Sequence, residues 1–110
     1  MDSLSPEYIE REISRGKFYY VVLLTLGTRD RNDSTLLESL QFQHLKHMFA
    51  LRQAGKLMVN GPFLTDSKLR GICIYNCSSL AEVESYCAND PMVKAGFLAT
   101  EIYQWMGFAW

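Results

Sequence analysis

Two histidines and one aspartate are the side chains of this sequence best suited to moving a proton. His44 and His47 are its two histidines, and they lie together in a stretch with helical spacing. Asp90 stands directly before Pro91, further along the chain. A carboxylate that holds an imidazole in one tautomer raises the basicity of the ring, which is the usual requirement of general acid–base catalysis. His44 and Asp90 are therefore the candidate catalytic residues.

His44 lies on the apolar side of its predicted helix. The other members of that stripe recur at three- and four-residue spacing: Leu37, Leu40, Met48 and Leu51. A histidine in such a stripe needs partners for its ring nitrogens, so one interpretation is a core histidine bonded to a carbonyl and the other is a functional one. His47 is one turn away, beside Lys46, and is interpreted as a helix-surface residue.

Asp90 also has a structural interpretation, because Asp followed by Pro is typical of a helix N-cap. The two roles are compatible, since one carboxylate oxygen can cap while the other faces an imidazole. The spacing of His44 and His47 would suit two ligands of a metal site, but such a site needs a third ligand brought in by the fold, and no companion motif is present. We expect no metal ion. The sequence also has no phosphate loop or nucleotide-binding glycine motif, and we expect no organic cofactor.

The candidate substrate-binding residues are Tyr20, Gly61, Pro62 and Trp105. Asn60-Gly61-Pro62 is first of all a turn signal, but a glycine there also lets a ligand approach the backbone closely. The two aromatic residues lie in predicted strands, where a core or interface position is the alternative to lining a pocket.

Composition narrows the class of protein. The chain has 110 residues, enough for one domain, and 48% of them are hydrophobic, as in an ordinary globular protein. A net charge of -1 disfavours a nucleic-acid partner, which requires a basic surface. No apolar run approaches the roughly 20 residues that cross a bilayer, and the charged start is unlike a signal peptide. We expect a cytoplasmic protein without a membrane partner.

The three cysteines are predicted to be reduced. Cys73 and Cys77 lie four residues apart in a predicted strand, which separates their Cα atoms by about 13 Å. A disulfide needs about 4.4–6.8 Å.

The pattern of elements predicts a ferredoxin-like α+β domain. A short helix follows Ser5-Pro6 and forms an N-terminal extension over residues 1–16, docked on a domain of residues 17–110. In that domain we predict strands at 17–26, 57–64, 69–77 and 97–106, and helices that begin with capping boxes at Thr35-to-Glu38 and Ser79-to-Glu82. This order is the split βαβ arrangement, with a four-stranded antiparallel sheet and both helices on one face.

The strands are apolar on both faces, so the second face of the sheet needs a cover. Val22 and Leu24 alternate with Val21 and Leu23. A second copy of the chain is the simplest cover for a large apolar face. We therefore predict a homodimer with its sheets packed face to face.

Taken together, these residues resemble the YCII-related family. The resemblance rests on FYYVVLLTL, Gln43-His44-Leu45, Ala54-Gly55-Lys56-Leu57 leading into Gly61-Pro62-Phe63, and the string DPMVKAG at 90–96. It covers residues 17 to about 106. It implies a dimeric α+β barrel of ferredoxin-like protomers, with the histidine of the first helix and the aspartate of the DP string as active-site pair, here His44 and Asp90.

The resemblance also implies a class of chemistry. It points to cofactor-independent degradation of aromatic compounds, including loss of HCl from chlorinated hydroxyhydroquinones, by a lyase or isomerase acting on a small phenolic or quinoid molecule. The alternative is a non-catalytic protein on the same fold that binds a small ligand or serves as an accessory subunit. The short link between Phe63 and Arg70 reduces any loop that shapes the pocket there, and the N-terminal helix is an addition to the family pattern.

Overall fold

The computed structural model describes residues 4–108, and it confirms the α+β architecture. In chain order its elements are α1 (Pro6–Ser14), β1 (Lys17–Leu26), α2 (Ser34–Gln53), β2 (Leu57–Pro62), β3 (Leu69–Tyr75), α3 (Leu80–Ala88), α4 (Pro91–Lys94) and β4 (Leu98–Gly107). Within the described residues the strands form one four-stranded sheet in the order β2-β3-β1-β4. All its pairings are antiparallel. This is the predicted ferredoxin-like topology.

β1 is central because its sequence is apolar on both sides. It pairs with β4 along its whole length and with β3 from Tyr20 to Thr25. Val22 and Leu24 point to the face that carries the helices and are 1% and 6% exposed. Residues opposite each other in an antiparallel ladder share a face, so Cys73, the partner of Val22, lies on this side too.

α2, α3 and α4 supply the other half of the core. Met48 of α2, Val83 and Cys87 of α3, and Met92 of α4 pack with the strand residues in one buried cluster. Burial of these side chains is the main stabilising contribution of this face, at roughly 1.5–3 kcal/mol for each large apolar side chain.

The opposite face of the sheet carries apolar side chains without these helices over it. Val21 and Leu23 lie there, with Ile74 and Ile72 as their partners on β3 and Tyr103 opposite Val21 on β4. Near the edges of this face exposure is high: Val59 is 58%, Tyr103 51% and Trp105 47% exposed. We call this surface, defined by the residues just named, the open face.

The start of α2 differs from the prediction. The N-cap is Asp33, whose side chain accepts a hydrogen bond from the Leu36 N–H, and the helix begins at Ser34. The predicted capping box at Thr35 and Glu38 is therefore wrong. Aspartate is as good an N-cap as threonine. Asp33 comes first in the chain and accepts from a free N–H group of the first turn, so Thr35 lies inside that turn. The predicted cap of α3 is confirmed, because Ser79 Oγ accepts from the Glu82 N–H at 3.2 Å.

The bounds of three strands also shift. β2 ends at Pro62 rather than residue 64, β3 ends at Tyr75 rather than residue 77, and β4 runs from Leu98 to Gly107. Element boundaries depend on where the neighbouring strand stops pairing, which the sequence of one strand does not encode. The predicted cap of α1 is confirmed by the bond from the Tyr8 N–H to Ser5 Oγ, although no residue of α1 is buried. Between residues 4 and 108, no helix combines the length and apolarity needed to cross a membrane.

Candidate active site

His44 lies on the buried side of α2, facing the sheet. It is 8% exposed, and its neighbour along the stripe, Met48, is 2% exposed. The helical spacing of the stripe turns both side chains toward the core. His44 is thus a polar ring inserted into an apolar interface, and both of its nitrogens matter to the stability of that interface.

Asp90 reaches the same place from the other end of the sequence. It is the N-cap of α4, 46 residues beyond His44, and it is 0% exposed. Its Oδ1 accepts the Met92 N–H at 3.0 Å, and its Oδ2 lies 2.7 Å from His44 Nδ1. The cap and the contact with the imidazole therefore occur together, each using a different carboxylate oxygen.

This contact selects the tautomer of His44. Since Asp90 Oδ2 is an acceptor, Nδ1 carries the hydrogen and donates it, which leaves the Nε2 lone pair free in the neutral ring. Within residues 4–108, no group forms a hydrogen bond with Nε2. In the same range every buried side-chain nitrogen or oxygen has a hydrogen-bond partner, so Nε2 is not a buried atom. Nε2 is therefore the accessible edge of an otherwise buried ring.

The accessible edge of His44 belongs to a cavity of about 220 Å³. The cavity lies between α2 and the edge of the sheet formed by β2 and β3. Its apolar wall includes Leu24, Met48, Cys73, Met92 and Leu98, and its other wall includes Asn60, Gly61, Pro62, Phe63 and Gly71. Gln41 and the arginines Arg31 and Arg70 complete the lining on the polar side.

The four candidate substrate-binding residues divide into two groups. Gly61 and Pro62 line the cavity, whereas Tyr20 and Trp105 do not. Tyr20 is on the same face as Leu24 but four residues away along β1, which separates them by about 13 Å. Trp105 is on β4 opposite Tyr19, with their ring centroids 6.2 Å apart, at the far end of the sheet. Their position outside the cavity follows from the register of β1 with β3 and β4, which the sequence of one strand does not determine.

Two lining residues, Arg31 and Arg70, are absent from the sequence-based candidates. Arg31 lies in the loop between β1 and α2, which reads in the sequence as a polar loop with no anchor, and Arg70 is near the start of β3. The two arginines come close because Leu24 pairs with Gly71 in the antiparallel ladder, which places the loop after β1 beside the beginning of β3. Neither stretch of sequence indicates this pairing by itself.

The cysteines near the site are thiols at neutral pH. Burial, with smaller contributions from Cys87 and Asp90, raises the pKa of Cys73 to about 12, and burial raises the pKa of Cys87 to about 11. Because the thiolate is the nucleophilic form, neither sulfur is suited to attack a substrate. All three cysteines are free, as predicted.

His47 serves a structural contact. Its Nε2 lies 2.9 Å from the carbonyl oxygen of Tyr86 and joins α2 to α3, and the ring is half-buried. Among the described residues, no group of three His, Cys, Asp or Glu side chains is arranged to hold a metal ion.

Comparison with known families agrees with this architecture. The model of the YCII-related domain matches residues 21–106, most of the chain. The protein belongs to the YCII-related family. The matched span contains both members of the His44–Asp90 pair and all the residues that line the cavity, and it begins after α1. A search of curated proteins gives no match.

A solved structure shares the YCII-related fold. It is 5-chloro-2-hydroxyhydroquinone dehydrochlorinase from Burkholderia phenoliruptrix AC1100, in complex with 2,5-dihydroxybenzoquinone. The two proteins are 23% identical, the TM-score is 0.62, and the alignment covers 79% of this chain and 92% of that chain. The likeness establishes a shared ferredoxin-like fold of the dimeric α+β barrel type.

Proposed function

We propose that this protein is a cofactor-independent acid–base enzyme of the lyase or isomerase type, acting on a small phenolic or quinoid ring. One observation carries the proposal: His44 Nδ1 is held 2.7 Å from a fully buried carboxylate, while the same ring lines a cavity and its Nε2 is left without a partner among the described residues. A ring oriented in this way accepts a proton at Nε2 and returns it, as a general base and then a general acid.

Asp90 supports both halves of this cycle. In the resting state its Oδ2 keeps the hydrogen on Nδ1, and after proton uptake the same oxygen faces the positive imidazolium. Because Asp90 is 0% exposed and its other oxygen is bonded to the Met92 N–H, the carboxylate cannot turn away to water. In this proposal His44 is the catalytic residue and Asp90 the positioning residue.

The volume of the cavity supports a single-ring substrate. An apolar protein cavity of about 150 Å³ holds benzene, whereas drug-sized ligands occupy about 300–1,000 Å³. At about 220 Å³ the cavity has room for one ring with a few substituents. The ligand of the structural neighbour, 2,5-dihydroxybenzoquinone, is a molecule of this size.

Loss of HCl from a chlorinated hydroxyhydroquinone is the reaction we propose to test first. A hydroxyl proton passes through His44 to the ring carbon that carries chlorine, which gives a ketone tautomer. A second hydroxyl then loses its proton, and the electron pair that was in its O–H bond forms the quinone as chloride leaves with the C–Cl electrons. The sum is one quinone, one proton and one chloride, so no external oxidant is needed.

The test is chloride release from 5-chloro-2-hydroxyhydroquinone by wild type, His44→Ala and His47→Gln. His47 provides the matched control, because it lies on the same helix but bonds the Tyr86 carbonyl instead of lining the cavity. We expect release by wild type and by His47→Gln, and a loss of about 10²–10⁴-fold in His44→Ala. Release that survives in His44→Ala contradicts the histidine mechanism.

The same experiment separates an enzyme from a binding protein. A protein that only binds small ligands turns over nothing in any of the three forms, while isothermal titration still detects bound 2,5-dihydroxybenzoquinone. Thermal melting of each variant shows whether His44 serves only to tie α2 to α4, in which case stability falls and the remaining folded protein keeps its activity.

We also propose that the protein is a homodimer that buries the open face. Apolar side chains of that face occur on all four strands, from Val59 on β2 to Trp105 on β4. A surface of this kind is typical of an interface between copies. A single species of monomer mass in light scattering at micromolar concentration contradicts the proposal.

A further inference from the structure

The polar side of the cavity is formed by two arginines that converge from different elements. Arg31 comes from the loop between β1 and α2, and Arg70 lies on β3 next to Gly71. Both also line the shallow groove by which the cavity continues along α2, past Gln41 and Leu45. They therefore stand at the entrance of the space into which His44 Nε2 opens.

Neither arginine has a carboxylate partner among the described residues. The ion pairs found there are Arg15 with Glu12, His44 with Asp90, and Lys56 with Glu82. Glu38 lines the groove along with Arg31 and Arg70, yet it forms no ion pair with either of them. Among residues 4–108, no Asp or Glu lines the cavity itself. The protein as a whole has a net charge of -1, so this concentration of positive charge is local.

The placement of Arg31 has an electrostatic cost. The guanidinium is partly buried, and both burial and the charge of Arg70 lower its pKa. An arginine remains protonated under such conditions, so two like charges are kept near each other without compensation. An anion bound between them would remove that repulsion.

The protein holds Arg31 in position with an aromatic ring. Its Cζ lies 5.8 Å from the centroid of Phe97, a side chain that is 1% exposed and belongs to the core. Arg29 approaches the same ring at 4.9 Å and also donates to the Ala95 carbonyl, which anchors the loop. A cation that is positioned before the ligand arrives loses less freedom on binding it.

We propose that Arg31 and Arg70 form an anion-binding subsite, and that the cavity selects a single aromatic or quinoid ring bearing a negatively charged oxygen. The inference rests on the proposed function for the location of the reacting atoms near His44 Nε2. The subsite also has a catalytic consequence. When His44 removes a hydroxyl proton the ring oxygen becomes negative, and a nearby guanidinium stabilises that charge as it forms.

The first test compares two ligands of the same shape and different charge. Isothermal titration of wild type with 4-hydroxybenzoate and with 4-hydroxybenzamide measures the preference for the carboxylate over its neutral isostere. We expect the anion to bind about tenfold or more tightly, since hydrogen bonds between charged groups are roughly twice as strong as neutral ones. Equal affinities, or no binding of the anion, overturn the proposal.

The second test removes each cation in turn and uses 2,5-dihydroxybenzoquinone, an acidic quinone that is anionic at neutral pH, as the probe. Arg31→Met and Arg70→Met are compared with Arg52→Met, a matched control whose Cζ lies over Phe49 at 5.2 Å and which does not line the cavity. We expect affinity to fall about tenfold or more in the first two variants and to change less than about twofold in the control.

Folding and function are kept apart in this design. Arg31→Lys retains the charge and is expected to recover part of the affinity, whereas a variant that has merely lost its fold is identified by its melting curve. Loss of binding in both arginine variants together with full chloride release by His44→Ala leaves the anion subsite standing and removes the histidine mechanism. Unchanged binding in the arginine variants, with chloride release lost in His44→Ala, overturns the anion subsite and supports the histidine mechanism.

Discussion

The two faces of the sheet are built from equally apolar strands, yet they differ in what covers them. On the helix face, residues such as Val22 and Cys73 are 1% and 2% exposed beneath α2, α3 and α4. On the open face, Tyr103 and Trp105 remain about half exposed. The helix face also contains the buried polar pair of His44 and Asp90, which is tolerated because the Asp90 carboxylate and His44 Nδ1 form a hydrogen bond with each other.

Under the proposed function and the proposed dimer, the fold separates two requirements. Proton chemistry needs a polar pair shielded from water, and the helices supply that shield on one face. Association needs an apolar surface without such cover, and the strands present it on the other. The alternation of side chains along β1 serves both, because successive residues point to opposite faces.

The largest effect we expect is on turnover and comes from Asp90→Asn. The amide can still accept the Met92 N–H through its oxygen, but its NH₂ group then faces His44 Nδ1 and drives the proton to Nε2, the wrong tautomer for a base. We expect the kcat for chloride release to fall about 10²–10⁴-fold with little change in melting temperature.

Asp33→Asn is the matched control for that variant. Asp33 caps α2 as Asp90 caps α4, but it does not line the cavity. The control is expected to keep full activity. Equal activity of the two variants contradicts a role for Asp90 in positioning the imidazole.

The open face is tested by adding charge where the single chain tolerates it. Val59 and Tyr103 are more than half exposed, so the double variant Val59→Lys/Tyr103→Lys is expected to fold as a single chain. We expect it to convert the proposed dimer into a monomer, because burying two unpaired lysines at an interface is costly. Light scattering measures the molecular mass of the variant in solution. The control is Phe49→Lys, which adds a lysine on the exposed side of α2. A double variant that still dimerises places the interface elsewhere.

Two methionines compare the covered core with an exposed strand end. Met48 is 2% exposed in the core of the helix face, while Met106, near the end of β4, is 41% exposed. We expect Met48→Ala to lower the free energy of unfolding by about 2–5 kcal/mol, and Met106→Ala to lower it by about 1 kcal/mol or less. Guanidinium denaturation at one protein concentration measures both. Similar losses would show that the two sites are equally well packed.

The smallest effect concerns thiol reactivity. Cys73 and Cys87 lie in the core with pKa values raised to about 12 and about 11, whereas Cys77 is only partly buried, although burial raises its pKa as well. Only the thiolate reacts, and its fraction falls tenfold for each unit that the pKa stands above the pH. At pH 8 we expect one thiol to react with a disulfide reagent in the native state and the other two after unfolding. Cys77→Ser should remove the first phase, and a remaining phase in that variant would contradict the assignment.

Much of this site is predictable from local sequence patterns. The stripe of α2 indicates that His44 faces the core, and the Asp-Pro pair predicts that Asp90 caps a short helix; both are found. These features depend on residues three or four positions apart, so a single stretch encodes them. The cap of α2 is harder to predict, because Asp33 and Thr35 are both good N-cap residues for the same N–H groups and the structure uses Asp33.

The rest was decided by contacts between distant parts of the chain. The end of β1 lies against the beginning of β3, which brings Arg31 and Arg70 to one cavity with His44 and leaves Tyr20 and Trp105 outside its lining. Sequence patterns establish which way a side chain points from its own helix or strand. Only the tertiary structure determines what it meets there, because the register between strands and the seating of helices depend on the packing of the whole core.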